Sequence, residues 1–118
     1  MNAENLREYC LNKWEVTESF PFNDTALVFK VSGKMFALVS LDDPLSISLK
    51  CDPEKAIELR EHYHSVVPGY HFNRKHWNTI YIDGSVDDEL IFSWIDHSYQ
   101  QVVEKLSKKD RLRILGHV

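Results

Sequence analysis

Apolar positions along the chain recur at two periods, and the switches between the periods mark out the elements. Leu6, Tyr9, Cys10 and Lys13 stand three and four residues apart, which predicts an amphipathic helix over 3–13 with Asn2 as its N-cap. Residues 14–24 contain Pro21 and end in Asn23-Asp24, the composition of a connection. Two β-rich runs follow, 26–31 and 34–40, separated only by Ser32-Gly33; that two-residue spacing predicts a tight hairpin. After the turn Asp42-Asp43-Pro44, the residues Leu45, Ile47, Leu49 and Cys51 alternate with Ser46, Ser48 and Lys50. Strict alternation predicts a strand with one apolar face and one wet face.

In Asp52-Pro53-Glu54-Lys55 the aspartate can cap a helix, the proline stands where a missing N–H costs nothing, and the glutamate suits the positive end of the dipole. Ala56, Leu59 and Tyr63 then share one face of a helix over about 53–64, and Val66-Val67-Pro68-Gly69 breaks it. Residues 77–82 return to strand, with Ile80 and Ile82 on one face and Trp77, Thr79 and Tyr81 on the other, before Asp83-Gly84 ends it. Asp87, Asp88 and Glu89 open a last long helix whose buried stripe is Ile91, Ile95, Ser98, Val102 and Leu106. Ser98 interrupts that stripe, so its hydroxyl and that of Tyr99 are expected to be buried and bonded within the domain, since a buried unpaired hydroxyl costs about 1–3 kcal/mol.

The predicted order is α-β-β-β-α-β-α. Hairpin-linked strands with segregated helices describe an α+β fold rather than alternating parallel βαβ units. A single antiparallel sheet of four or five strands is expected, packed on one face by the N- and C-terminal helices and partly open on the other. Residues 1–118 are read as one domain, with 107–118 as a basic C-terminal tail.

Composition narrows the class. With 118 residues, 43% hydrophobic and 27% charged, the chain is globular rather than disordered. No apolar run approaches the ~18 residues of a membrane span, and no apolar or arginine-rich leader follows Met1. Two cysteines, Cys10 and Cys51, fit a reducing compartment and not a disulfide framework. A cytoplasmic monomer is expected. The formal charge of −4 divides unevenly: −3 over 1–49, +1 over 50–80, −5 over 81–106 and +3 over 107–118. A weakly acidic chain thus carries a neutral-to-basic centre and a basic tail, and local basic patches attract phosphates even when the total is negative.

Most candidate chemistry falls away on inspection. His62, His64, His71 and His76 cluster in sequence, but their spacing matches no closed zinc pattern, and on a helix His62 and His64 diverge by about 200°. No serine stands in a G-x-S-x-G elbow, and Cys10 and Cys51 fall on apolar faces, as small core residues do. Four glycines, Gly33, Gly69, Gly84 and Gly116, form no phosphate-cradling loop. Asp42-Asp43 and Asp87-Asp88-Glu89 are a turn and a helix start. A non-enzymatic protein with no metal and no cofactor is expected. What remains is 68–77, where Tyr70, Phe72 and Trp77 are interleaved with His71, Asn73, Arg74, Lys75 and His76. Basic groups reach phosphates and aromatic or polar groups touch bases. The same residues also suit a packed connection in which Tyr70 and Trp77 plug the core and Arg74-Lys75 are solvated.

Several strings together resemble the MmcQ/YjbR family of small bacterial proteins. They are Lys50-Cys51-Asp52-Pro53-Glu54-Lys55-Ala56, Leu59-Arg60-Glu61, Val67 through Ile80 with its Pro-Gly-Tyr-His-Phe-Asn-Arg-Lys-His-Trp core, Asp83-Gly84, and Ser98-Tyr99 with Val102 and Val103. The resemblance spans about the whole chain. It implies a CyaY/frataxin-like α+β fold and a DNA-binding role with a double-wing arrangement. Carried onto matching positions, the DNA contacts are Lys50, His71, Asn73, Arg74, Lys75, His76 and Trp77, with Arg74 offering a fork suited to phosphate. Iron binding, which the frataxin likeness raises, is not carried over: the first helix offers only Glu4 and Glu8 with Arg7 between them. Two readings follow. One is a nonspecific or weakly specific DNA-binding protein using the 71–77 loop and Lys50, with Lys108, Lys109, Arg111 and Arg113 of the tail as further cations. The alternative is a protein-interaction module with the same loop as its contact patch.

Overall fold

The computed structural model describes residues 1–69 and 72–116. In chain order its elements are α1 (Ala3–Leu11), β1 (Val16–Ser19), β2 (Ala26–Val31), β3 (Lys34–Ser40), β4 (Ser46–Lys50), α2 (Pro53–His62), β5 (Val66–Pro68), β6 (Trp77–Tyr81), α3 (Asp88–Val103) and α4 (Lys108–Leu115). The strands form one six-stranded sheet in the order β1-β2-β3-β4-β6-β5, and every neighbouring pair is antiparallel. The α+β class holds.

Local signals account for most boundaries. Asn2 caps α1: its side chain accepts from Asn5 N at 2.8 Å, and the Asn5 side chain accepts from Asn2 N at 3.1 Å, a reciprocal capping box. Asp52 caps α2 through Lys55 N at 3.2 Å, with Pro53 in the first turn. Between β2 and β3, Ser32 and Gly33 have φ of 49° and 80°. Two successive left-handed residues are what a two-residue hairpin turn requires.

Side-chain alternation builds the two faces of the sheet. One cross-sheet rung runs Leu27, Val39, Ile47, Ile80, Val66, and the next runs Phe29, Ala37, Leu49, Asn78. All nine of these side chains are buried, and they meet α1, α2 and α3 on this face. A bulge between Phe29/Lys30 and Ala37/Met35 leaves Phe36 without a partner across the hairpin. Phe36 is thereby free to join the helical side, where its ring meets Tyr99 of α3 edge-on at 5.3 Å. The predicted Ser98 and Tyr99 bonds are present, with Ser98 buried but Tyr99 only half-buried. Ser98 Oγ donates to Phe36 O at 2.5 Å and accepts from Lys50 N at 2.8 Å, while Tyr99 OH donates to Trp14 O at 2.6 Å. At the other side of α3, Asp96 accepts from Tyr9 OH at 2.8 Å and from the Lys13 ammonium, which clasps α1 to α3.

Four expectations need correction. The stretch read as a connection contains β1, whose burial alternates only between half-buried and exposed; its strand character comes from pairing with β2 rather than from an apolar face of its own. The breaker Val66-Val67-Pro68 is β5, an edge strand of three residues, where a proline costs no ladder bond. The sheet therefore has six strands rather than four or five, and the order is α-β-β-β-β-α-β-β-α-α. The basic tail is helical over most of its length: Ser107 caps α4, Ile114 is fully buried in the common core, and Arg113 is held by Glu15 at 2.8 Å and Asp110 at 2.7 Å. Finally, the serines expected on a wet face of β4 are not exposed, with Ser46 at 7% and Ser48 at 6%, because the second face of the sheet is recessed.

Candidate nucleic-acid interface

The loop between β5 and β6 is tied down by backbone-directed hydrogen bonds. Asn73 Oδ1 accepts from Lys75 N at 2.9 Å, and Asn73 O accepts from His76 N at 3.1 Å, so this asparagine builds the turn. His76 O accepts from Cys51 N at 2.7 Å, joining the loop to the β4–α2 junction. Trp77 is 9% exposed and stacks on Phe72 with centroids 4.6 Å apart. Gly69 fits beneath that pair, since a Cβ there would lie 3.1 Å from Trp77 Cβ. Arg74 and Lys75 are exposed, and neither forms an ion pair among the described residues. His71 lies outside the described residues.

The organiser of this loop is a residue that sequence reasoning did not single out as a contact. Arg60 of α2 donates through Nε to Asn78 Oδ1 at 2.6 Å and through Nη2 to the carbonyls of Arg74 and Trp77. Asn78, itself buried, donates onward to Ala56 O at 3.2 Å. Both residues were in the strings that carried the family likeness; a lone arginine on a helix gave no local sign of what it would hold.

Lys50 is brought to the same place. It closes β4 directly opposite Trp77, with Ser46 and Ser48 preceding it on the same side. The strand directions then sort charge by position: Lys30, Lys34, Lys50, Arg74 and Lys75 stand toward one end of the strands, and Asp42, Asp43 and Asp83 toward the other. Of the tail cations, Arg113 is paired with Glu15, which precedes Val16 opposite Val31, so α4 docks at this same end of the strands.

Between the two ends lies a groove of about 620 Å³ on the open face. Its floor is two rows of alternate residues, Ala26-Ser40-Ser46-Tyr81 and Leu38-Ser48-Thr79, where the Ser48 and Thr79 hydroxyls are bonded at 2.8 Å. Phe72 stands at its basic end; Phe22, 70% exposed, and the Asp42-Asp43-Pro44 turn also line it. The loop carrying Phe22 is anchored by Asn23 Oδ1, which accepts from Thr25 N and Ala26 N, and by Thr25 Oγ1 donating to Asp42 at 3.2 Å. The sequence alternation contained these hydroxyls, but nothing local indicated that they would share a concavity.

Neither cysteine lines the groove. Burial pushes the Cys10 thiol up to about 12 and the Cys51 thiol up to about 11, so both stay protonated at neutral pH. His97 Nε2 accepts from Asp52 N at 3.2 Å, which puts the neutral ring's proton on Nδ1. Burial, with Lys55 nearby, lowers its pKa below the ordinary 6.5. Among the described residues no group of three or more His, Cys, Asp or Glu is placed to hold a metal ion, and no helix is long and apolar enough to cross a membrane.

The YjbR family model matches residues 11–101. The chain is 37% identical over 112 residues to YjbR of Escherichia coli K12, spanning 94% of this chain and 95% of that protein. It is 38% identical over 96 residues to YbdF of Escherichia coli O157:H7, with 80% and 79% covered. The crystal structure of Deinococcus radiodurans protein DR2400 superposes with a TM-score of 0.89 at 42% identity, covering 96% of this chain and 87% of that one. A Pseudomonas syringae crystal structure gives 0.76 at 28% identity, covering 86% and 98%. With its conserved-length match to these proteins and its single antiparallel sheet under helices, the chain belongs to the YjbR family.

Proposed function

We propose that this is a small, monomeric, non-enzymatic DNA-binding protein of weak or no sequence specificity, which grips the phosphate backbone with Arg74, Lys75 and Lys50. The observation that carries the reading is the arrangement around Arg60. By holding the carbonyls of Arg74 and Trp77, it fixes the loop backbone while the Arg74 and Lys75 side chains stay in solvent beside the end of β4. Pre-positioned cations on a fixed backbone suit phosphate contact, which orients a protein on DNA without reading sequence. Of the acids in 81–106, Asp83, Asp87, Asp88 and Glu89 fall on the turn after β6 and the start of α3, at the far end of the strands, so the stretch opposes the basic end less than its net charge suggests. Buried protonated thiols and a His97 already engaged with the backbone support binding over catalysis. The frataxin-like kinship implied by the sequence agrees with helices gathered on one face of an antiparallel sheet, and a cytoplasmic location suits two unpaired cysteines.

The test is a titration of fluorescent duplex at increasing salt. Three neutralised phosphates give a slope of log affinity against log salt of roughly −2.7, at ~0.9 per contact. Replacing Arg74 and Lys75 by alanine is expected to reduce that slope by about two units. Equal curves for wild type and double variant, or no binding at tens of micromolar, favour the protein-interaction module instead, a reading to which the exposed Phe20, Phe22 and Leu41 would then point.

A further inference from the structure

We propose that the groove on the open sheet face is a base-binding subsite for single-stranded DNA, in which an unstacked base lies against Phe72 while its flanking phosphates rest on the basic end. This rests on the DNA-binding reading and goes beyond it, because it makes the preferred ligand a single strand rather than a duplex.

Three observations converge on the groove. First, Phe72 is already one member of a stack: one face covers Trp77 at 4.6 Å with an interplanar angle of 22°, and the ring also lines the groove. A base entering there extends the pair to three rings, the contact by which single strands are held without sequence readout. Second, between the apolar Ala26 and Leu38 the floor carries the hydroxyl residues Ser40, Ser46, Ser48, Thr79 and Tyr81, with Ser48 and Thr79 bonded to each other. A hydroxyl donates or accepts as its rotor requires, so these side chains can meet either a donor or an acceptor on a base edge. The volume of about 620 Å³ falls within the range that holds small ligands, on the order of 300–1,000 Å³. Bases inside a duplex are stacked and paired and cannot enter a recess of this kind; an unpaired base can.

Third, the charges at the two ends differ, and this sets the polarity. From Ser46 to Lys50 the strand rises about 13 Å, from the carboxylates of Asp42 and Asp43 to the ammonium end of the site. Phosphates are repelled from the first end and attracted to the second. Carboxylates are acceptors only, so a second, neighbouring base that reaches the acidic end of the groove is favoured there when it carries an exocyclic amino group. Cytosine, adenine and guanine have one; thymine does not.

The experiment is fluorescence anisotropy at low salt with labelled twelve-residue oligo(dC), oligo(dA) and oligo(dT) and a duplex of equal length. The proteins are wild type, Phe72→Ala, the double variant Asp42→Asn/Asp43→Asn, and Arg74→Ala/Lys75→Ala. Thermal melting and tryptophan fluorescence establish that each is folded. The expected results are tighter binding of oligo(dC) and oligo(dA) than of duplex, a roughly tenfold loss of single-strand affinity in Phe72→Ala, and loss of the margin over oligo(dT) in the asparagine variant. Duplex binding should survive Phe72→Ala and fall in the arginine–lysine variant. Duplex bound as tightly as single strand, with Phe72→Ala unchanged on both, overturns the base subsite and leaves the DNA-binding reading standing. No binding of any probe by folded protein at tens of micromolar overturns both.

Discussion

The two faces of the sheet are made from alternate residues of the same strands, and they differ in chemistry. On the helix-covered side, Leu27, Val39, Ile47, Ile80 and Val66 form a continuous hydrocarbon rung. One residue further along the same strands, Leu38, Ser48 and Thr79 line a recess of mixed polar and apolar character. The difference shows that burial alone does not define a core here. Ser48 is as buried as Leu27, at 6% each, yet Leu27 packs against helices and Ser48 lies under an open groove. The first face carries the stability of the fold, and the second is available for contact.

Neighbouring residues on β4 give the sharpest way to break that comparison. Ile47→Ala should destabilise by about 2–5 kcal/mol, the cost of a large-to-small change in a packed core. Ser46→Ala, one position away on the open face, should cost less than about 1 kcal/mol, since surface-side changes are usually near neutral. Chemical denaturation of both variants measures this directly. Similar losses would mean that the open face is part of the core.

A smaller effect is expected where the two faces are joined. Ser98→Ala leaves Lys50 N and Phe36 O without their partner, at a cost of about 2 kcal/mol. Faster hydrogen exchange at the Lys50 amide than at Ser48 would place the loosening at the end of β4. An unchanged Lys50 amide would show that the bulge, not the serine, holds that end.

The same junction should respond to pH. His97 has a folded-state pKa below its ordinary 6.5, so as pH falls through 6.5 the unfolded chain takes up a proton that the folded one refuses. Stability is therefore full above the ordinary value and declines between it and the lowered folded value. Melting curves from pH 7.5 to pH 5 should show this decline, and His97→Gln should flatten its share of it. A wild type and variant with identical pH profiles would remove His97 from the account.

The smallest effect belongs to the basic loop. Arg74→Ala/Lys75→Ala should change stability by no more than about 0.5 kcal/mol, because both side chains are in solvent and it is Arg60 that holds the loop backbone. A larger loss, read by denaturation, would move these two residues from the contact surface into the fold.

Short stretches of sequence were enough for the hairpin, the caps of α1 and α2, and the long helix α3. Ser32-Gly33 sets its turn through two positive φ angles, and Asn2 and Asp52 satisfy helix N–H groups three residues away. These signals are local: the residues that satisfy one another are close in the chain. The edge strands β1 and β5 were not legible, because a three- or four-residue strand takes its identity from the neighbour it bonds to. Nor was α4 as a docked helix, since the burial of Ile114 depends on a core assembled from the whole chain. The family likeness named Lys50 and the loop, but the role of Arg60 needed Asn78 and the carbonyls of Arg74 and Trp77 beside it.

The sequence by itself determined where the chain turns, which helices begin and with what cap, and which alternate residues share a face. Tertiary structure decided what each face became. Ser48 is recessed because Leu38 and Thr79 flank it from neighbouring strands, residues far from it along the chain. Turn and cap energies act over three or four residues and are written there. The depth of a groove, and which charges gather at its ends, depend on strand order and register, which are settled only when distant hydrophobic rungs pack together.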